Sequence, residues 1–320
     1  MRAVALCVCF CLAAASNPAL KCPSLTPRTA PDDVKQLKPV DVKVVAAMGD
    51  SITAGFALTG KPVESRDLSY ATGNATGATT MATIHARFRG KDAVNGINVA
   101  QTNDKVQGIG AQAAALVAQI KGDKRINFQK DWKLVTVLIG ANNDCPACQG
   151  KAEDSPSEYE KELGNAVYTL NNELPRTLVS LVSMLNVTSL LTAPGVDRHC
   201  GLQHVLTKIE CPCIFEGAQA SAAVDANVQA DNAKLLEIAK YWDGYDKSFG
   251  VVVQPGLSQM DVPDWTFLSQ FDCFHPSLEA HQNIGIALWN NMLQPVGKKQ
   301  SAFKMPVQIR CPTDDDFLHN

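Results

Sequence analysis

Five short runs of largely apolar, β-branched residues, at 42–48, 97–101, 134–139, 187–193 and 249–254, recur along the chain with helical stretches between them. A strand that is apolar along its whole length has no face to give to water, so it must be covered on both sides. Helical spacing fills the gaps: 111–120 reads as helix, as do 218–241 and 276–293, the last closed by Pro295 and Gly297. Ser155-Pro156-Ser157-Glu158 is a capping box with proline at the first helical position. The helix it opens is expected to bend or break near Pro175 and to resume on Leu178, Leu181, Val182 and Leu185. This alternation predicts an α/β fold, a three-layer α/β/α sandwich around a mostly parallel central sheet.

The two ends and the cysteines set the compartment. Arg2 precedes an apolar run over 3–12 and then Ala13, Ala14, Ala15 and Ser16, the pattern of a secretory signal over residues 1–16. No run reaches the ~20 apolar residues that a membrane span needs, so the mature chain is expected to be secreted, extracellular and monomeric. A proline-rich extended lead is expected over 17–40, one domain over 41–311, and a solvated acidic tail over 312–320. Removing the leader takes Cys7, Cys9 and Cys11 with it and leaves Cys22, Cys145, Cys148, Cys200, Cys211, Cys213, Cys273 and Cys311, an even set that export turns into disulfides. A zinc site on Cys145, Cys148, Cys211 and Cys213 is the alternative for those four, and pairing is not readable from the sequence. Asn74 and Asn186 stand in glycosylation sequons. With 29 Lys plus Arg against 32 Asp plus Glu, no cationic field exists to hold nucleic acid.

The chemistry-bearing residues cluster at strand ends. The first run leads into Gly49-Asp50-Ser51-Ile52-Thr53-Ala54-Gly55. Ligands of open α/β sheets bind at the carboxyl ends of strands, and glycine permits the tight turn that would project Ser51 there. Thr53 replaces the second glycine of a G-x-S-x-G elbow, so this is a different nucleophile turn. A nucleophilic serine needs a base, and the base an orienting carboxylate; Asp272-Cys273-Phe274-His275 supplies both within one turn. Gly140-Ala141-Asn142 follows the third run and offers an amide donor for a developing oxyanion. Each piece read alone is also an ordinary turn, cap or loop contact. His85, His199, His204, His281 and His319 belong to no such motif and read as surface or core residues. Leu257, Met260, Val262, Trp265, Phe267, Leu268 and Phe271 precede the acid–base pair and either line an acyl pocket or pack the core.

Taken together these motifs, with Asn98-Val99-Ala100 after the second run, resemble the GDSL, or SGNH, hydrolase family. The finer likeness is to its secreted and brush-border phospholipase B branch, carried by Leu68-Ser69-Tyr70, Asp131-Trp132-Lys133-Leu134, Ile139-Gly140-Ala141-Asn142, Cys211-Pro212-Cys213, Val251-Val252-Val253-Gln254-Pro255 and Asp272-Cys273-Phe274-His275. It continues through residues 287–297 and runs from about Cys22 to Cys311.

The resemblance implies an SGNH hydrolase-like fold and a serine esterase acting on phospholipid and lysophospholipid esters at a lipid surface, without a cofactor. It implies Ser51 as nucleophile, His275 as base and Asp272 as its orienting acid. It also implies an oxyanion hole of the Ser51 backbone N–H, the Asn142 side chain and the backbone N–H of Asn103. The chain departs from the family at Asn103, which replaces a glycine, and at Asn143, which replaces an aspartate. Two other readings stay open: an exported esterase of short acyl or carbohydrate esters, and a lipid-binding protein of low turnover.

Overall fold

The computed structural model describes residues 21–318, so the leader expected over 1–16 and His319 lie outside the described residues. β1 (Val42–Gly49), β2 (Val94–Asn98), β3 (Trp132–Leu138), β4 (Thr177–Val182) and β5 (Phe249–Gln254) form one sheet in the order β2-β1-β3-β4-β5. Every neighbouring pair is parallel. The connections carry α1 (Ser51–Ala54), α2 (Met81–Arg89), α3 (Ile109–Gly122), α4 (Ala141–Asp144), α5 (Pro156–Glu173), α6 (Val196–His199), α7 (His204–Glu210), α8 (Ala218–Trp242) and α9 (Leu278–Met292).

Alternation along each strand builds two cores. Val44, Ala46 and Met48 of β1, with Val135 and Val137 of β3, face α3, α5 and the end of α8. Ala47, Leu134, Leu138, Leu178 and Val182 face the opposite layer, where Met81 and Ile84 of α2 meet Leu288 and Trp289 of α9. Burying one Val or Leu side chain contributes roughly 1.5–3 kcal/mol, and both faces of the sheet depend on it. The result is the expected α/β/α arrangement, with the chain reversing direction across the sheet between β1 and β3.

The fourth strand is not where the apolar pattern puts it. Residues 177–182, expected to continue a helix beyond Pro175, form β4, every residue of which is buried. Leu178, Leu181 and Val182 fit helical spacing and a strand buried on both faces equally well. Proline decides between them: α5 stops at Glu173, and Arg176 takes a φ of +53° that turns the chain into the sheet. Residues 187–193, expected as a strand, instead begin with the 3₁₀ helix Val187–Leu191, where Ser189 Oγ donates to Asn186 O at 2.7 Å.

The ends are tied to the body. In the proline-rich lead, Leu25, Val34 and Leu37 join the core, and Trp132 Nε1 donates to Pro31 O at 2.8 Å. The tail, expected to be solvated, folds back on that lead: Leu318 is buried and its N–H donates to Leu37 O at 2.8 Å. Asp314 Oδ1 accepts from Thr26 N at 2.9 Å. All eight cysteines of the described residues are paired, Cys22–Cys311, Cys145–Cys211, Cys148–Cys213 and Cys200–Cys273. The zinc alternative fails on this pairing, because each sulfur it would need is spent in an S–S bond.

The Cys22–Cys311 bond spans 289 residues, so it removes much freedom from the unfolded chain. Changing both to serine should lower unfolding free energy by about 3–5 kcal/mol, read from urea denaturation. An unchanged midpoint would show that the two ends are held by the other contacts alone.

Candidate active site

Gly49 is where the sheet ends and the site begins. Its φ is +152°, and a Cβ there would lie 2.1 Å from Leu138 O at the end of β3. Only glycine allows that approach. Gln112 of α3 brackets the same residue, Oε1 accepting from Gly49 N and Nε2 donating to Gly49 O, both at 2.8 Å. Asp50 then caps α1, its Oδ1 accepting from Ile52 N at 3.0 Å. Burial pushes the Asp50 carboxyl up to about 6, while the Ile52, Gly140 and Ala141 amides and His275 pull it down. Ser51 is thereby the first residue of a one-turn helix at the carboxyl end of β1, closed by Gly55 at φ +71°. Ser69 Oγ and Asn98 Nδ2 both donate to Thr53 O, at 2.7 and 2.8 Å, and fix the turn from outside.

The acid–base pair arrives from the far end of the chain. His275 Nε2 lies 2.7 Å from Ser51 Oγ, and His275 Nδ1 lies 2.8 Å from Asp272 Oδ2. Asp272 Oδ1 accepts from Phe274 N at 2.9 Å and from His275 N at 3.0 Å. Cys273 makes this turn possible with a φ of +52°, a left-handed conformation that costs a non-glycine residue roughly 1–2 kcal/mol. Its disulfide to Cys200 anchors the turn. Because the Asp272 carboxylate accepts at every contact, Nδ1 carries the imidazole proton and Nε2 is left to accept from Ser51. Asp272 is wholly buried, whereas His275 and Ser51 keep 4% and 6% of their surface, so the reacting edge alone meets the outside.

The two expected oxyanion asparagines stand on adjoining strand ends. Asn142 lies in α4 just after β3, and its Nδ2 donates to Asp104 O at 2.8 Å. That bond holds the loop after β2, which Gln101 N also ties to Gly49 O at 3.1 Å. Asn103, in the same loop, has a φ of +66°, the conformation that a glycine would take without cost. Its backbone N–H and that of Ser51 donate to no acceptor among the described residues.

Asn143 has work of its own. Its Oδ1 accepts from Val106 N at 3.0 Å while Nδ2 donates to Asp154 Oδ1 at 3.1 Å. An amide serves both partners, and an aspartate there would set two carboxylates together. Asp154 also pairs with Lys105 Nζ at 2.7 Å. Behind it lie Asp144, one oxygen of which accepts from Asn227 Nδ2 at 2.9 Å, and Asp231, neither oxygen of which has a partner. Burial is the larger cause that raises both well above the usual range, with Asp50 and Asp154 adding to it at Asp144 and Asp144 and Asp154 adding to it at Asp231.

An apolar cavity opens between Ile52, beside the serine, and Phe274, beside the histidine. Met260, Val262, Phe267 and Leu268 line it as one of the two sequence readings held, while Leu257, Trp265 and Phe271 lie outside the lining. Trp265 instead stacks on His199 with ring centroids 3.9 Å apart. The opposite wall, Met184, Val187 and Leu190, comes from the segment whose secondary structure the apolar pattern misassigned.

The other histidines among the described residues stay outside this constellation. His281 is buried and its Nδ1 accepts from Tyr70 N at 3.2 Å, His85 packs edge-on to Trp289, and His204 lies against Phe215. Of the sequon asparagines, Asn74 is exposed, whereas Asn186 is half-buried with Nδ2 bound to Asp261 Oδ1 at 2.9 Å. Glu210, which no sequence motif marked, has Oε1 3.9 Å from His275 Nδ1.

The model of the GDSL-like lipase/acylhydrolase family matches residues 45–288. Phospholipase B1, membrane-associated, of Rattus norvegicus is 34% identical over 329 residues, covering 91% of this chain and 22% of that protein. Its Homo sapiens counterpart is 32% identical, covering 92% and 22%. The chain thus spans under a quarter of the length of these curated relatives. An extracellular lipase from Streptomyces rimosus is a distant structural likeness, with TM-score 0.44 and 16% identity, covering 78% of this chain and 99% of that one.

The buried carboxylates behind Asn143 make a stability prediction with a definite sign. A carboxyl raised in the folded state binds more protons than its unfolded counterpart, so its burden grows as pH rises above ~4. Asp231→Asn should therefore stabilise the fold, by about 1–3 kcal/mol at pH 8 and by less at pH 5. Denaturation at the two pH values checks this, and a gain that shrinks toward alkaline pH would contradict it.

Proposed function

The chain belongs to the GDSL-like lipase/acylhydrolase family, and from that premise we propose that it is an extracellular phospholipase B-like serine esterase, cleaving acyl esters of phospholipids and lysophospholipids. The observation that carries the chemistry is the unbroken relay Ser51 Oγ, His275 Nε2, His275 Nδ1, Asp272 Oδ2, with contacts of 2.7 and 2.8 Å. Ser51 Oγ attacks the ester carbonyl carbon as its proton passes to His275 Nε2, and the carbonyl electron pair moves onto oxygen. The Ser51 and Asn103 N–H groups and the Asn142 amide hold that oxyanion. Collapse expels the alcohol, which takes the proton from His275, and leaves an acyl-enzyme. Water, deprotonated by the same imidazole, then releases the fatty acid.

The apolar cavity beside Ser51 suits an acyl chain. A lipid surface as the site of action is supported by Leu202, Val205 and Ile209, which leave 89%, 68% and 75% of their area exposed next to the catalytic turn. The exposed cations Arg198 and Lys208 flank them and complement phosphate head groups. The four disulfides are consistent with an oxidising compartment, and among the described residues no helix is long and apolar enough to cross a membrane.

A fluorophosphonate should label Ser51, and Ser51→Ala should abolish turnover, a loss on the order of 10⁴–10⁶ in kcat. Vesicles and lysophospholipid micelles should be hydrolysed in the same assay as a soluble short-chain ester. Full activity in Ser51→Ala removes the mechanism, and turnover confined to the soluble ester assigns a short-acyl esterase instead.

Leu202→Asp combined with Ile209→Asp should lower the rate on vesicles at least about tenfold, as expected for an apolar contact worth ~1.4 kcal/mol or more. Turnover of the soluble ester should stay unchanged. Equal effects on both substrates would place these residues in the fold and not at the lipid.

For the oxyanion hole, Asn142→Ala should cost roughly 10² to 10³ in kcat with little change in KM. Asn103 acts through its backbone, so Asn103→Gly should preserve or raise activity and Asn103→Ala should cost much less than Asn142→Ala. Collapse of activity in Asn103→Gly with Asn142→Ala intact would reverse the assignment.

A further inference from the structure

α7 is tied to the catalytic turn before its first residue and in its middle, and to the segment after β3 at its far end. Cys200, just before it, is bonded to Cys273 of the turn, and Cys211, just after it, is bonded to Cys145 beyond β3. Between them Thr207 Oγ1 donates to Asp272 O at 2.6 Å. With Val205, Lys208 and Ile209 turned to solvent and Thr207 buried, the helix directs its last residue, Glu210, at the imidazole. Glu210 Oε1 stands 3.9 Å from His275 Nδ1, the nitrogen already bonded to Asp272 Oδ2, and its Oε2 is buried without a partner.

We propose that Glu210 is a second positioning carboxylate for His275, one whose charge favours the imidazolium over the neutral ring. The inference rests on the reading of Ser51 and His275 as nucleophile and base. Glu210 faces two titratable groups of the relay. The groups that act on it are His275, which favours its charged form, and Asp272, which disfavours it. The 212–215 turn against α7 adds no titratable side chain, since Cys213 is in a disulfide, and Lys208 of its own helix faces solvent. Burial is the larger influence and pushes the Glu210 carboxyl up to about 7. A carboxyl so poised ionises more readily once a positive charge appears 3.9 Å away, whether the imidazole is protonated in the free enzyme at low pH or as Ser51 attacks. Glu210 exchanges no proton with substrate: the serine proton goes to Nε2 and from there to the leaving alcohol.

This differs from a structural role in what it does to the pH profile. On a soluble ester, Glu210→Gln should move the acid limb of kcat/KM to lower pH by about half a unit to one unit, because an anion that favoured the imidazolium is gone. It should lower kcat several-fold with KM unchanged. Glu210 should also stand in when Asp272 is lost, so Asp272→Asn should cost roughly 10² and the double variant roughly 10⁴, the loss usual for a triad without its acid. A circular dichroism spectrum and a cooperative urea transition like those of the parent report that each variant is folded. An acid limb that stays in place in Glu210→Gln, or equal losses for Asp272→Asn with and without it, overturns the inference while leaving the triad intact. Turnover surviving in Ser51→Ala would overturn the triad itself, and the inference with it.

Discussion

The approach of Gly49 to β3 sets the position of everything else in the site. In the strand order β2-β1-β3-β4-β5 the chain goes from β1 out to β2 and then back past β1 to β3, and the crevice at that reversal is where an open α/β sheet offers room for a ligand. A side chain at 49 would collide with Leu138 O, so β1 can end against β3 only with glycine. From that contact follow the turn at Asp50, the short helix that presents Ser51, and the loop after β2 that Gln101 N ties to Gly49 O. Gln112 reaches the same loop, its Nε2 donating to Asp104 Oδ2 at 2.6 Å as well as to Gly49 O. The proposed nucleophile and oxyanion donors are thus referred to a single backbone position.

The proposed base is referred to a different frame, and the cost of bringing it in is met by covalent bonds. His275 is more than 220 residues beyond Ser51, a separation of 224. The turn that carries it contains a left-handed cysteine. One disulfide and the Thr207 hydrogen bond fasten that turn to α7, and a second disulfide fastens α7 to the segment after β3. The two halves of the relay are therefore linked through α7 as well as through the sheet, and this linkage is what sets Glu210 beside the imidazole.

What the sequence disclosed follows the range of each interaction. Glycine-led turns, the Ser155 cap and the Asp272-to-His275 spacing are local, and each was readable because a few neighbouring residues determine it. β4 was not, since a strand buried on both faces has no period of its own and its spacing also suits a helix. The even cysteine set was legible as disulfides but not its pairing, because pairing is a property of the folded chain. Asn103 stood out as a departure, and its φ of +66° gives the reason a residue tolerant of that conformation can occupy a glycine position. Glu210 left no trace in any motif, for its role comes from a helix end brought to the turn by disulfides. Its one available signal was its place directly before Cys211.

The charges around the relay also bear on how a phospholipid would enter. Asp50, Asp272 and Glu210 put three carboxyl groups around a single imidazole, and burial pushes Asp50 up to about 6 and Glu210 up to about 7. Such surroundings favour a transient imidazolium and disfavour a phosphate near Ser51. An anionic head group would be better placed outside, near Arg198 and Lys208, with the acyl chain alone entering the cavity between Ile52 and Phe274. The ester would then lie where the two environments meet, its carbonyl over Ser51. On this arrangement the head group is held by exposed cations, whose attraction is screened by salt, and the chain by buried apolar walls. Chain length should therefore discriminate among substrates more strongly than head-group chemistry.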